Sequence, residues 1–531
     1  MFEIVENKFE LGKETIYPFA AELHYYRVDK RYWSLCFERI KRAGIRLITT
    51  SAPWSLHQDK NRELDFVGLD DPRKDLTVFL ELARELGFKI ILRPGPYIGA
   101  DWPNGGIPEF VTSDVSSLAR DSAGEVIKLT GAPGFKGGYL ASYMSPAFQS
   151  SVKHYYKAFV DATRNYIHPR GPIIAIEIDS APSYGGLFAP GAADYNEFML
   201  QREYSPFLMD LYESIKDLNN CYKTKYEDFS DVEPPRAFDG ADEKSLPRIF
   251  DWFRFKERML GRYVEEQKVI FDGYTVHPKL ICTTAFGSKH LAPFYNFIDR
   301  ESGVLPGGAV SYDESYPDLA RRGRYLRGLG GFPWGSAFPT GRASEDPKIG
   351  EEMRPITDGE RRFLLASALG SGYKGVNFRM FVDHERWYGG ALRVDGSVTS
   401  GYEFTRGIAD SAENMELAEM QPDVQVAVVG NRLYQWFAEL PDPKAFASVR
   451  RLVNESLPGV CRDLARLKID YNVCESAAIS SLSSYKLVII PSAEFMAESE
   501  QQAIIDLSKT GTPVALFGAL PRFDEHFNDC T

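Results

Sequence analysis

Lys89-Ile90-Ile91-Leu92-Arg93-Pro94-Gly95-Pro96-Tyr97 is the segment that decides the fold. An apolar run of strand length stops at a charged residue and a Pro-Gly-Pro turn. Immediately before it, Pro72 to Leu86 has helical apolar spacing, opens with Pro in the first turn and ends just ahead of Gly87. A helix feeding a short buried strand is one βα unit, and the pattern recurs. Strands are expected at Tyr17 to Val28, Ile45 to Pro53, Lys89 to Tyr97, Ile173 to Ala181, Lys279 to Phe286, Ala309 to Glu314, Phe332 to Phe338 and Gly375 to Val382. Helices are expected between them, including Arg31 to Ala43, Phe148 to Ile167 and Leu246 to Phe271. Eight such strands predict an α/β fold of the closed (β/α)8 TIM-barrel type, with the barrel over residues 1–416 and an insertion over about 182–240.

After Glu416 the pattern restarts. Val424 to Val429, Ile469 to Val473, Tyr485 to Ile490 and Pro513 to Phe517 read as strands, with helices at Ala447 to Leu467 and Ser499 to Ser508. That predicts a smaller flavodoxin-like, doubly wound α/β domain over 424–520 and a short tail over 521–531.

Composition narrows the function. The 531 residues are 44% apolar, enough for a full core, and 62 Lys+Arg against 74 Asp+Glu give a net charge of −12. Such a balance argues against nucleic acid or an anionic membrane surface as a partner. The six cysteines, Cys36, Cys221, Cys282, Cys461, Cys474 and Cys530, show no C-x-x-C spacing, so neither a zinc site nor a disulfide framework is expected. No export-type apolar segment begins the chain and no apolar run reaches the roughly 18 residues of a membrane span, so a cytoplasmic protein is expected.

In a barrel the working residues lie at the carboxyl ends of the strands. Here those ends read Glu22-Leu23-His24-Tyr25-Tyr26, Pro53-Trp54-Ser55-Leu56-His57, Arg93-Pro94-Gly95-Pro96-Tyr97, Glu177-Ile178-Asp179, Ser311-Tyr312-Asp313-Glu314 and Asn377-Phe378-Arg379-Met380-Phe381. Polar tips gathered on one face predict a binding cleft. Arg93 reads as an internal ion-pair partner.

The runs Phe19-Ala20-Ala21-Glu22-Leu23-His24-Tyr25-Tyr26-Arg27, Ala52-Pro53-Trp54-Ser55-Leu56-His57 and Leu92 to Trp102 resemble the β-galactosidases of glycoside hydrolase families 35 and 42. Gly106-Ile107-Pro108 and Gly375-Val376-Asn377-Phe378 carry the same resemblance, and the segment from Val424 is similar to the trimerisation domain of family 42. The resemblance implies retaining hydrolysis of β-galactosides or related oligosaccharides without a cofactor or metal, by a protein that forms a homo-oligomer or works with a partner subunit. Its chemistry needs two carboxyl groups about 5–5.5 Å apart, one acid/base and one nucleophile. In the family these are the Glu of an Asn-Glu pair ending strand four and a Glu ending strand seven.

Residue-by-residue alignment puts Ser180 and Ala181 at the Asn-Glu pair and Ala337 at the nucleophile. A methyl group neither carries a proton nor attacks carbon. Three explanations follow: a catalytically silent barrel that still binds carbohydrate, a glycosidase whose carboxylates have moved, or a working enzyme inactivated by substitution. For the second, Asp179, Asp313 and Asp383 are the candidate catalytic residues, with Glu314 and Glu385 as neighbours. Period-two alternation places Glu177 and Asp179 on one face of strand four, below Ala181. The resemblance also implies sugar contacts at Tyr26, Tyr97, Ala100, Asp101, Ser180 and Tyr316, with Trp54 and Trp387 as stacking faces.

Overall fold

The computed structural model describes residues 2–530 apart from 6–7, 100–101, 130–137, 181–192, 239–244, 275–278, 285–304, 311–314, 330–333, 344–355, 386, 441–443 and 445. Eight parallel strands close into a barrel in chain order: β1 (Ala20–Glu22), β2 (Leu47–Ser51), β3 (Lys89–Gly95), β4 (Ile173–Ser180), β5 (Lys279–Thr284), β6 (Leu305–Ala309), β7 (Trp334–Pro339) and β8 (Gly375–Arg379). β8 pairs back onto β1, with Asn377 opposite Ala20.

Alternation along each strand sorts the side chains. Ala21, Ile48, Ile90, Leu92, Ile176 and Phe378 join the main core shared with the helices, whereas Ala20, Leu47, Ile91, Ala175 and Trp334 meet in a separate buried cluster inside the barrel. Phe9, Leu11 and Ile16 belong to that inner cluster. They come from an antiparallel N-terminal meander (Phe2–Val5, Lys8–Leu11, Glu14–Ile16) that plugs the amino end, with Phe9 edge-on to Trp334 at 6.5 Å.

The outer helices include α1 (Trp33–Arg42), α2 (Leu76–Glu85), α3 (Pro146–Thr163), α4 (Leu246–Gly273), α5 (Tyr316–Gly328) and α6 (Asp358–Gly370). Their starts are chemically marked: Asp75 caps α2, Ser145 precedes Pro146 in α3, and Thr357 and Glu360 form a capping box at α6. Sequence expectation and structure differ most at the sixth strand, which lies at Leu305–Ala309 rather than 309–314. Pro306-Gly307-Gly308 reads as a turn in isolation, and the strand takes its conformation from pairing with β5 and β7 on either side. Residues 311–314 lie outside the described residues. Within the expected insertion, Tyr212 and Tyr222 both donate to Asp251 on α4, at 2.6 and 2.9 Å.

A second parallel sheet follows, with β9 (Val426–Gly430), β10 (Tyr471–Glu475), β11 (Leu487–Ser492) and β12 (Val514–Gly518) in the order β10-β9-β11-β12. α7 (Arg432–Ala438), α8 (Leu457–Arg466) and α9 (Glu498–Lys509) connect the strands, giving the doubly wound arrangement. α5 joins this sheet to the barrel: Arg324 Nε donates to Asp470 at 2.8 Å, and Tyr325 donates to Glu475. Arg432 completes the junction, pairing with Glu475 at 2.8 Å and with Glu257 of α4 at 3.1 Å. Burial pushes the Glu257 carboxyl up to about 7. No described helix is long and apolar enough to cross a membrane.

Candidate active site

Above the apolar cluster the inward positions turn polar. Thr49 Oγ1 of β2 donates to Asn377 Oδ1 of β8 at 2.8 Å, across β1, a reach that runs through the barrel interior. In the same layer Arg93 Nη2 donates to Glu177 Oε2 at 2.7 Å, and Nη1 lies 3.8 Å from Glu22 Oε1. Glu22 Oε2 accepts from the Met380 backbone N–H at 2.8 Å, which ties the first strand to the end of the eighth. Burial alone would depress the Arg93 pKa, but Glu177 and Glu22 outweigh it and hold the group above its ordinary value. His24 Nε2 lies 3.7 Å from Glu22 Oε1, while Nδ1 accepts from the Ser51 N–H at 3.4 Å. That bonding assigns the proton to Nε2. Burial, then the charges of Arg27, Arg93 and Arg379, push the imidazole well below its ordinary pKa, so His24 is a neutral donor.

Two bulges shape the ends of β4 and β7, the strands on which the resemblance places the two carboxylates. On β4, Glu177 pairs with Ile281 but Ser180 with Thr283, so one extra residue is inserted, and Asp179 takes a left-handed conformation with φ +56°. Alternation stops there. The Asp179 carboxylate turns to the helix layer and accepts from Tyr263 Oη of α4 at 2.7 Å, which corrects the expectation that it shares the Glu177 face. On β7, Trp334 pairs with Gly307 but Ala337 with Ala309, again one extra residue, so Ala337 regains the inward register of Trp334. Ala337 is the one residue of β7 that is not buried. Its methyl is therefore partly exposed rather than sealed in the core.

The rim is aromatic and cationic. His24 stacks on Tyr26 at 5.1 Å, Tyr26 meets Trp102 edge-on at 4.9 Å, and the Arg27 guanidinium lies 5.7 and 5.4 Å from those two rings. Arg27 also donates to Glu385 at 2.6 Å and contacts His384 Nδ1 at 3.2 Å, latching the first loop to the last. Among the described residues no cluster of His, Cys, Asp or Glu is placed to hold a metal ion. Tyr97 rests directly over Gly105, whose φ of +60° and missing Cβ make that approach feasible.

The remaining sequence candidates fall as follows. Trp387 is buried against Ile98 and Met380, with Arg379 5.3 Å from its ring. Tyr316 is exposed at the start of α5, beside Phe363. Trp54 is fully buried, stacked on Tyr155 at 5.1 Å and bonded through Nε1 to Gln58, so both its faces support the wall and neither is offered to a ligand. Asp383 is half-buried and accepts from the Gly390 N–H at 2.6 Å, a loop tie; burial raises its pKa. Ala100, Asp101, Ala181, Asp313 and Glu314 lie outside the described residues, as does the Ser180 side chain. Glu22, His24, Arg93 and Glu177 fall among the polar strand ends read from the sequence, but none of them was given a ligand role there. Their signal is period two: Ala20 and Glu22, Ile91 and Arg93, Ala175 and Glu177 each step from apolar to charged along one face.

Residues 8–129 match the glycosyl hydrolases family 35 profile, and residues 447–531 match the GLMA-like second domain. An exo-β-D-glucosaminidase of Pyrococcus horikoshii is 25% identical over 98% of this chain and 69% of its own length. The chain is related to the β-galactosidase-like glycoside hydrolases. A β-1,2-glucosyltransferase of Ignavibacterium album is 24% identical over 99% of this chain and 77% of its own. Among solved folds, the β-galactosidase of Bacillus circulans sp. alkalophilus superposes with a TM-score of 0.75 at 14% identity, covering 97% of this chain and 73% of that one. That of the psychrophilic Marinomonas ef1 gives 0.74 at 16% identity, over 96% and 77%. These glycosidases share the barrel fold and the parallel-sheet unit that follows it.

Proposed function

We propose that the barrel mouth binds β-galactosides or related oligosaccharides and that this chain lacks the retaining Glu pair, so it holds such sugars without the double displacement. The observation that carries the reading is Ala337: an inward, partly exposed methyl in the last half of the seventh strand, where the resemblance calls for the nucleophile. Ala181 supplies the second vacancy from the sequence alone. Tyr26, Tyr97 and Trp387 are the proposed sugar contacts, supported by the Arg27 and Arg379 guanidiniums beside the Tyr26 and Trp387 rings and by the names of the relatives, which act on or transfer hexose and hexosamine units. The chain would then serve as a binding subunit, in a homo-oligomer or beside an active partner, in the cytoplasm.

Thermal unfolding with methyl β-D-galactoside tests the reading. Ligand at 100 times Kd stabilises by about 2.7 kcal/mol without any turnover. Stabilisation with no release of methanol supports a binding role. No stabilisation by any hexoside, galactoside or glucosaminide, would sink it.

A further inference from the structure

Past the ends of β7 and β8 the chain forms a short antiparallel ribbon, with Arg342 opposite Tyr388 and Ala343 opposite Trp387. Alternation gives its two faces different surroundings. Trp387 is buried and packs with Ile98 and Met380, whereas Tyr388 next to it is exposed. Pairing over so few residues cannot hold a ribbon in place, since even a full isolated hairpin is marginal in water. Its position has to come from its base.

One side chain spans that base. Arg361 of α6, 2% exposed, donates through Nε to the Thr340 carbonyl and through Nη2 to the Gly389 carbonyl, both at 2.9 Å. The two carbonyls flank the ribbon, Thr340 just ahead of Arg342 and Gly389 directly after Tyr388. Nη1 donates to Asp358 at 2.7 Å, which fixes the guanidinium on its own helix. Thr340 Oγ1 lies 2.8 and 2.9 Å from the Arg379 and Met380 carbonyl oxygens, so the same contact reaches the end of β8. Between Thr340 and the ribbon stands Gly341, where a Cβ would run into the Tyr388 carbonyl oxygen and Trp387 Nε1. Two carbonyls on two chain segments need two N–H groups held in one plane. A guanidinium supplies them, and an ammonium on a flexible stem does not.

We propose that Arg361 is a positioning residue for the barrel mouth: it clamps both strands of the ribbon at their base, sets where the Trp387 ring stands, and through that ring sets how tightly the mouth holds a sugar. The inference rests on the reading of Trp387 as a sugar contact and goes beyond it by assigning a residue of the outer helix layer to the affinity of the site.

Two readouts on the intact chain test it. Without ligand, the emission of Trp387, taken as the difference between spectra with and without Trp387→Phe in each background, should shift to the red in Arg361→Lys while the far-ultraviolet circular dichroism stays that of the parent. An unshifted emission refutes the clamp whether or not a sugar binds. In titration calorimetry with methyl β-D-galactoside, Arg361→Lys should weaken binding roughly fivefold or more, and the double variant with Trp387→Ala should bind within about twofold of Trp387→Ala alone. Losses that multiply in the double variant would show that Arg361 does not act through the ring and would overturn the proposal. If the emission shifts but the parent binds no hexoside, the clamp stands and the sugar reading of the mouth falls. Gly341→Ala forces the strands apart without touching Arg361 and should reproduce both effects, so the proposal stays refutable even if Arg361→Lys does not fold; parent-like emission and affinity in Gly341→Ala would count against it.

Discussion

Replacing Arg93 by Leu should cost about 3–5 kcal/mol of stability, the penalty for breaking a buried ion pair from one side. The guanidinium is 2.7 Å from Glu177 and 3.8 Å from Glu22, with side-chain exposures of 9%, 2% and 4%, so neither carboxylate can turn to water when it is lost. Leu fills the place of the Arg stem but not of the guanidinium, so a double variant separates the lost charge from the lost packing. Removing the Glu177 charge as well, in Arg93→Leu with Glu177→Leu, should recover part of it, leaving a net cost of about 2 kcal/mol or less, because a buried pair exchanged for apolar residues is often near neutral. Urea unfolding followed by tryptophan fluorescence measures Arg93→Leu, Glu177→Leu and the double variant. A single-variant loss under about 1 kcal/mol, or a double variant that loses the plain sum of the two singles, would refute the claim that this pair is coupled and dry.

Glu257 at the junction of barrel and sheet titrates near 7, above its unfolded value, so the fold is favoured by its protonated form. Stability should fall as pH rises from about 4.5 through 7, by an amount on the order of 3 kcal/mol, and Glu257→Gln should flatten that slope; an unchanged slope in calorimetric scans would contradict the assignment. Tyr263→Phe removes the bond to the Asp179 carboxylate and should cost roughly 1.5–3 kcal/mol, read from the urea midpoint. Gly105→Ala drives a methyl into the Tyr97 ring at a positive φ. It should weaken sugar binding with little change in the far-ultraviolet circular dichroism; intact affinity would show that Tyr97 does not touch the ligand.

Much of the fold was legible because strand and helix signals alternate cleanly. Ile90 to Leu92 and Ile173 to Ile176 are apolar on both faces, as buried parallel strands must be. β6 was displaced because Pro306-Gly307-Gly308 has no strand propensity of its own; its neighbours supply the order. The bulges on β4 and β7 were not legible, since nothing in Ile178-Asp179-Ser180 or Gly335-Ser336-Ala337 announces an extra residue. Those bulges decide the site: one sends Asp179 out to Tyr263 and the other brings Ala337 in. The charged inner layer was half legible. Arg93 was recognisable as an ion-pair member, but which two of 74 acidic residues it meets depends on barrel closure.

Turnover of nitrophenyl β-glycosides by the unaltered chain, beside a variant carrying Ala181→Glu and Ala337→Glu, tests the central claim most directly. The account predicts silence from the unaltered chain and measurable hydrolysis with retention from the variant, as the proposed reading of the mouth as a sugar site lacking its two carboxylates requires. Turnover by the unaltered chain, abolished by substitution of Asp179, Asp313 or Asp383, would contradict it.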